Sequence, residues 1–364
     1  MLTESATASR LSEIQEIVRL SSRLLPRGAG SKTAMQAAQA DVTLLEAAAL
    51  SGMLEYQPQE FTFTALAGTP LADIERRLRE NGQYLPFDPP LVARGATLGG
   101  TVAAGLSGPG CYRYGGVRDF ILGVKFVDGG GELVRAGGKV VKNAVGFDLP
   151  KLMVGSLGGF GLLVELTFKV FPLLPAFATL RFDYASLEEA LQAVTRLGRL
   201  PLEIMALELE RHPGGAALYV RLGGIPEGFA PRLDRLRRML GGGGKTPLEG
   251  QAELEFWNAQ REFAWLDAAC ALVKVAITPR NVPALDERLA VHGAVRRYSA
   301  GANLAWVAWP GALGTLDQIL NELGLPALVV LGPAGHARLG RQVGVAFEAR
   351  VRQALDPAGK WLVL

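Results

Sequence analysis

The sequence predicts an α+β protein of two domains. A glycine-rich domain is expected over residues 1–175, a smaller ferredoxin-like α+β domain over 176–335, and a tail over 336–364 that packs back on the first. Three observations lead there. A chain of 364 residues is long enough to bury a sizeable core and to divide. From Arg94 to Asp119 it reads RGATLGGTVAAGLSGPGCYRYGGVRD, with glycine at 95, 99, 100, 105, 108, 110, 115 and 116, so little side chain stands between this backbone and its neighbours. Beyond Phe171-Pro172-Leu173-Leu174-Pro175 the texture changes to a regular succession of strand and helix patterns. The glycine-rich stretch has the profile of a wall for a flat or phosphorylated ligand, or of a crowded set of turns.

Composition narrows the class. Apolar residues make up 49% and charged residues 20%, with a net charge of +3 from nearly balanced acids and bases, as in a globular enzyme. The one charge-rich run, Arg232 to Arg238, has the spacing of a solvated helix face, and no nucleic-acid partner is expected. Cys111 and Cys270 lie far apart and form no ligand cluster, and His212, His292 and His336 have no metal-ligand spacing, so no metal is expected. The amino terminus lacks a basic segment followed by an apolar core, and no uncharged apolar run approaches the ~18 residues of a membrane span. A cytoplasmic protein is expected, and attachment to a membrane through a partner stays open.

In chain order, Ile14, Ile17, Val18, Leu20 and Leu24 suggest a helix over Glu13 to Leu25. Pro26 to Thr33 follows as a loop with two glycines, a run of backbone donors and two cations, which suits either a diphosphate cradle or a plain helix-to-strand turn. It is not a P-loop, because Ser31 precedes Lys32. It is not a dinucleotide fingerprint either, because Thr33 stands where the third glycine belongs. Strands are expected over Val42 to Leu45, Leu54 to Gln57 and Phe61 to Ala67. A helix capped by Thr69, with Pro70 in its first turn, buries Leu71, Ile74 and Leu78 and stops at Asn81-Gly82. A hairpin joins Phe120–Val127 to Glu132–Arg135, and a second glycine cluster, Gly155 to Gly161, precedes another strand.

The second domain reads as strand Ala178–Tyr184, helix Ser186–Leu197, strands Ile204–Glu210 and Ala217–Leu222, and helix Pro231–Leu240, with no internal repeat. A helix near Leu254–Trp265, strands near Leu272–Ile277 and Ala305–Trp309, and helices over Pro283–Val291 and Leu313–Leu323 complete it. The tail carries a helix over Gly340–Leu355.

Taken together, PRGAGSK (26–32), LPFDPP (85–90), ATLGGTVAAGLSGP (96–109) and KNAVGFDLPKLMVGS (142–156) resemble the flavin-binding domain of the PCMH-type (vanillyl-alcohol oxidase) family. Within it they resemble the E type of bacterial glycolate oxidase subunits, across about residues 20 to 175. The resemblance implies a two-subdomain FAD-binding domain followed by a cap. It implies FAD held at Pro26, Arg27, Gly28, Ala29, Gly30, Ser31 and Lys32. It extends the site to Pro89, Thr97, Leu98, Gly99, Gly100, Thr101, Ala104, Gly105, Ser107, Gly108, Tyr114 and Gly115, with the flavin ring near 104–114. It assigns Gly158, Gly161, Leu162 and Leu163 to the adenosine end. Some relatives attach FAD covalently through a histidine in the first loop, and some use a cysteine, a role open in principle to Cys111. Here Ala29 and Ser31 stand in that loop, so dissociable FAD is expected, with Cys111 a structural thiol.

Oxidising a 2-hydroxy acid requires a base, cations for the carboxylate and a hydride acceptor. Arg113, Arg118, Lys142 and Arg338 are candidate cations, each equally suited to pairing with Asp119, Asp148 or a phosphate. No base is found, and His336 reads as a turn residue. The resemblance therefore implies an FAD-carrying subunit of a complex that oxidises glycolate to glyoxylate, beside a D-type flavoprotein subunit and an iron–sulfur subunit. A self-sufficient flavin oxidoreductase for another hydroxy acid or alcohol, and a scaffold subunit without flavin, remain as alternatives.

Overall fold

The computed structural model describes residues 4–36, 41–138, 148–241, 244–362 and 364. It divides into two compact units, one of Met1–Gly108, Gly115–Leu173 and Gly344–Leu364, the other of Pro109–Tyr114 and Leu174–Val343.

The first unit is built on a five-stranded antiparallel sheet. Its order is Met53–Gln57, Thr62–Leu66, Leu162–Lys169, Ile121–Val127, Leu133–Gly137. Thr62–Leu66 is buried at every position, which its apolar and β-branched composition permits. Phe63 and Phe168 are cross-strand partners and their rings stack 5.9 Å apart; Phe87, Phe120 and Phe171 continue the aromatic chain. A second core gathers Val18, Leu24, Leu45, Leu66, Leu162 and Trp361. Each such side chain contributes roughly 1.5–3 kcal/mol on burial.

Several local expectations shift. The first helix is Glu4–Leu20, and Leu24–Arg27 is instead a strand, parallel to Thr43–Glu46; the expected helix had joined two elements across Ser21-Ser22-Arg23. Helix Leu71–Arg79 buries Leu71, Ile74 and Leu78, but its N-cap is Pro70. The Thr69 hydroxyl instead donates to Leu66 O at 2.7 Å and accepts from Gly52 N at 2.9 Å. The glycine-rich stretch is partly helical. Thr97 caps Leu98–Ala104 by accepting from Gly100 N at 3.2 Å, and Gly105 ends it at φ +60°. The specific run from Lys139 to Phe147, Lys142 included, lies outside the described residues.

The second unit carries a nine-stranded antiparallel sheet. Its order is Leu248–Glu249, Ala176–Tyr184, Gly215–Gly224, Ile204–His212, Val295–Ser299, Leu304–Trp309, Ala271–Ala276, Pro326–Leu331, Arg338–Gly340. The ferredoxin-like order is present, and it is present twice. Ala176–Glu249 runs β-α-β-β-α-β and Ala271–Leu331 repeats it, the second strands of the two halves pairing at Leu209↔Tyr298 and Glu210↔Arg297. No repeat was expected, because the halves share the order of their elements and not their residues. Strand Val295–Ser299 was missed because VRRYS carries two adjacent arginines. These are held by Asp286, which accepts from Arg296 at 2.9 Å, and by Glu210, which accepts from Arg297 at 2.9 Å. Strand Arg338–Gly340 was likewise unforeseen, and the tail helix begins later than expected, at Val345. The helix expected over Leu254–Trp265 is Gly250–Arg261. Its Trp257 packs on Ala206, Ala217 and Tyr219, while Trp306 and Trp309 are also buried.

Asp286 is the polar centre of the second half. Only 6% exposed, it accepts from Arg211, Arg296 and the Tyr298 hydroxyl, the last at 2.7 Å, and burial beside this carboxylate pushes the Tyr298 phenol strongly upward. Asp286→Ala leaves two partly buried guanidinium groups without their anion and is expected to cost about 3–5 kcal/mol, read as a fall in unfolding midpoint in urea. An unchanged midpoint would remove Asp286 from that role.

Candidate cofactor site

A cleft in the first unit brings together three stretches far apart in sequence: 26–32, 97–104 and 157–163. Strand Leu24–Arg27 delivers the first loop, which ends in a single 3-10 turn at Thr33–Met35. Gly28 is required by proximity: a Cβ there would lie 2.5 Å from Thr97 Oγ1. Gly30 sits at φ +71°, and its carbonyl accepts from Gln36 at 3.1 Å. None of the described residues accepts from the amides of Gly28, Ala29, Gly30, Ser31 or Lys32. Five consecutive N–H groups in the cleft lining therefore have no acceptor among the described residues.

The two cations of this loop part company. Arg27 pairs with Glu46 at the surface, and that hydrogen bond raises its pKa. Lys32 is 7% exposed and meets no carboxylate among the described residues; its ammonium donates to Ser31 Oγ at 3.4 Å. Burial pushes its ammonium down to about 8 from an ordinary 10.5. A positive charge held in a dry wall beside open amides is a site for an anion.

The second stretch works differently from the expectation. The amides of Leu98, Gly99, Gly100 and Thr101 are already used, donating to Thr69 O, Ala67 O, Thr97 Oγ1 and Thr97 O. They are not spare donors for a phosphate. Gly99 instead lets the helix seat on the strand end, since a Cβ there would lie 2.7 Å from that of Ala67. Its contribution to the cleft is a surface almost free of side chains.

Of the residues expected to hold a cofactor, Pro26, Arg27, Gly28, Ala29, Gly30, Ser31, Lys32, Thr97, Gly99, Gly100, Ala104, Gly158, Gly161, Leu162 and Leu163 line this one cleft. Pro89, Leu98, Thr101, Gly105, Ser107, Gly108 and Gly115 belong to the same unit but do not line it. Ser107 accepts from Val117 N at 2.9 Å, and Gly108 makes room for Asp88 O, which would lie 2.2 Å from a Cβ. Tyr114 belongs to the second unit, where its hydroxyl meets Met205 Sδ at 3.5 Å. Met35, Gln36, Ala47, Ala67, Ala103, Leu157 and Leu364 also line the cleft and were not foreseen. Leu157 had a readable signal, standing among glycines at a turn where it takes φ +52°; Leu364 had none.

Of the candidate catalytic cations, Arg113, Arg118 and Arg338 are among the described residues. Arg113 pairs with Glu203 at 3.3 Å on the surface of the second unit, Arg118 is exposed in the first, and Lys142 is outside the described residues. Asp148 pairs with Lys151 at 2.7 Å, and this bond, with Arg118 nearby, holds its carboxyl below the usual range. All three histidines belong to the second unit. His212 accepts from Gly214 N at 3.2 Å, and His292 packs on Trp309. Cys111 is half-buried in the second unit, and among the described residues no cluster of three or more His, Cys, Asp or Glu could hold a metal.

Residues 6–137 match the family described as the FAD binding domain. Glycolate oxidase subunit GlcE of Escherichia coli K12 is 34% identical over 314 residues, covering 85% of this chain and 82% of that one. D-2-hydroxyglutarate dehydrogenase of Xanthomonas citri pv. viticola is 33% identical over 171 residues, and glycolate oxidase subunit GlcD of Bacillus subtilis is 31% identical over 146 residues. These matches span 36% and 31% of those longer proteins. Among solved structures, alkyldihydroxyacetonephosphate synthase superposes with a TM-score of 0.70 over 96% of this chain and 74% of that one, at 15% identity, which establishes the fold.

The strain in Lys32 is testable without any ligand. Lys32→Met is expected to stabilise the ligand-free protein by on the order of 2 kcal/mol at pH 7, because the unfolded chain binds that proton more tightly than the folded one. The gain is full below about pH 8 and disappears as pH rises to about 10.5, since both states are then neutral. Thermal midpoints of the two proteins across that range read it directly, and coincident curves would contradict the assignment.

Proposed function

Because the chain belongs to the FAD-binding family of glycolate oxidase subunit GlcE, we propose that it is the FAD-carrying E-type subunit of a complex that oxidises a 2-hydroxy acid, with glycolate to glyoxylate as its reaction. The observation that carries this reading is the buried Lys32 without a carboxylate partner, set beside five amides that have no acceptor among the described residues. A neutral ligand leaves that charge uncompensated. The diphosphate of a dinucleotide answers both the charge and the open N–H groups.

In this reading loop Gly28–Lys32 holds the diphosphate, and Gly99, Gly100, Ala103 and Ala104 offer a flat surface to the groups it joins. FAD, when bound, supplies the acceptor for the hydride that leaves the carbinol carbon. The first unit is the cofactor domain and the second the cap. The hydroxyl proton needs a base, and among the described residues no histidine belongs to the first unit. We assign that base to a D-type flavoprotein partner. Onward electron transfer falls to an iron–sulfur subunit, since two separated cysteines cannot ligate a cluster. Among the described residues no helix is long and apolar enough to cross a membrane.

The purified chain is expected to be yellow and to release its flavin into the filtrate after denaturation and ultrafiltration, because the first loop has no histidine and Cys111 is a half-buried thiol of the second unit. Anaerobic glycolate should bleach the flavin quickly when the D-type and iron–sulfur subunits are present and slowly when they are absent. Colour retained by the denatured chain would mean a covalent link. A colourless chain that takes up no FAD would overturn the reading.

A further inference from the structure

The end of the chain is stitched to the strand that delivers the diphosphate loop. After helix Val345–Leu355, the buried carboxylate of Asp356 accepts from the amides of Lys360 and Trp361 at 3.0 and 2.8 Å, forming a compact turn. The chain then runs beside Leu24. Leu24 N donates to Lys360 O at 2.8 Å and Leu362 N donates to Leu24 O at 2.9 Å, a parallel bridge centred on Trp361. Strand Leu24–Arg27 thus has Thr43–Glu46 on one edge and this tail on the other. Trp361 is fully buried in the core that also holds Val18, Leu24 and Leu162. The Lys360 ammonium donates to Val18 O at 2.7 Å and Arg19 O at 3.1 Å, where it meets carbonyls at the end of the first helix.

The same segment reaches the opposite wall. Arg352 donates to Trp361 O at 2.7 Å, and its other terminal nitrogen lies 3.2 Å from the point a Cβ on Gly159 would occupy. Gly158 in turn abuts Pro26, whose Cδ would lie 3.0 Å from a Cβ there. Leu364 lines the cleft with Leu157 and Pro26. The cleft thus has a run of polar groups along Gly28–Lys32, while Leu157, Leu162, Leu163 and Leu364 add leucine side chains to its lining.

We propose that Arg352–Leu362, together with Leu364, is part of the cofactor site, and that this segment selects a dinucleotide over a mononucleotide. It braces the free edge of the strand that carries the diphosphate loop, packs Arg352 against Gly159 of the 156–161 turn, and supplies with Leu364 an apolar surface for the adenosine attached to the diphosphate. The proposal rests on the FAD reading and extends it, since nothing in the anion site alone distinguishes one nucleotide from another. Arg352 is a positioning residue and Leu364 a contact residue.

The test compares the wild type with Leu364→Asp and Arg352→Met in titrations with FAD, ADP and FMN, with the thermal midpoint of each ligand-free protein as control. Leu364→Asp is expected to weaken FAD and ADP about tenfold by setting a carboxylate against an apolar base, with FMN unaffected. Arg352→Met should weaken FAD and ADP severalfold while the ligand-free midpoint changes little. If the wild type binds FAD and both variants match it, the tail has no part in the site. If FMN weakens as much as FAD, the selectivity claim fails. A wild type that takes up no FAD overturns both this inference and the reading beneath it.

Discussion

A positive charge held in a dry wall governs the first unit. Lys32 is nearly fully buried and, among the described residues, meets no carboxylate and stands beside amides that have no acceptor. Such an arrangement lowers the stability of the empty protein, and it persists because the surrounding structure overdetermines it. The price is set by desolvation, and an anion of the right length recovers it. Binding strength and ligand-free stability therefore pull in opposite directions at this position.

The overdetermination comes from the neighbours of the loop. Its strand is the middle of a three-stretch ribbon, held by Thr43–Glu46 on one edge and the bridge at Trp361 on the other. Gly28 fits against Thr97, and Gly99 fits against Ala67, with tolerances that exclude even a methyl group. Most of these glycines therefore serve contacts of the protein with itself. The ligand-facing surface that results is a consequence of close packing between a strand end and a helix start.

That distinction marks what the sequence could disclose. The first loop was legible because a run of donors with two glycines and a lysine is local, and so was most of the strand and helix order, strands Leu24–Arg27, Val295–Ser299 and Arg338–Gly340 excepted. The glycines at 99, 105 and 108 were legible as a class but not by role, since the atoms they accommodate, in Ala67, Gly155 and Asp88, are near only in the folded chain. The doubling of the ferredoxin-like unit was hidden because the two halves repeat topology and not sequence, and because Val295–Ser299 hides its strand character behind two paired arginines. The part played by Trp361 and Leu364 had no local signal. Tail and loop are separated by more than three hundred residues and meet only through tertiary bonds.

The central claim is that Lys32 becomes the counter-ion of a bound diphosphate, and proton uptake on binding tests it most directly. Burial leaves this ammonium near 8 in the empty site, and a dianion beside it must raise that value, so binding at about pH 8.5 draws a proton from the buffer. Calorimetric titration with FAD in two buffers of different ionisation enthalpy counts that proton. The account predicts an uptake of roughly half a proton or more by the wild type and none by Lys32→Met. No uptake by the wild type, or equal uptake by both proteins, would contradict it.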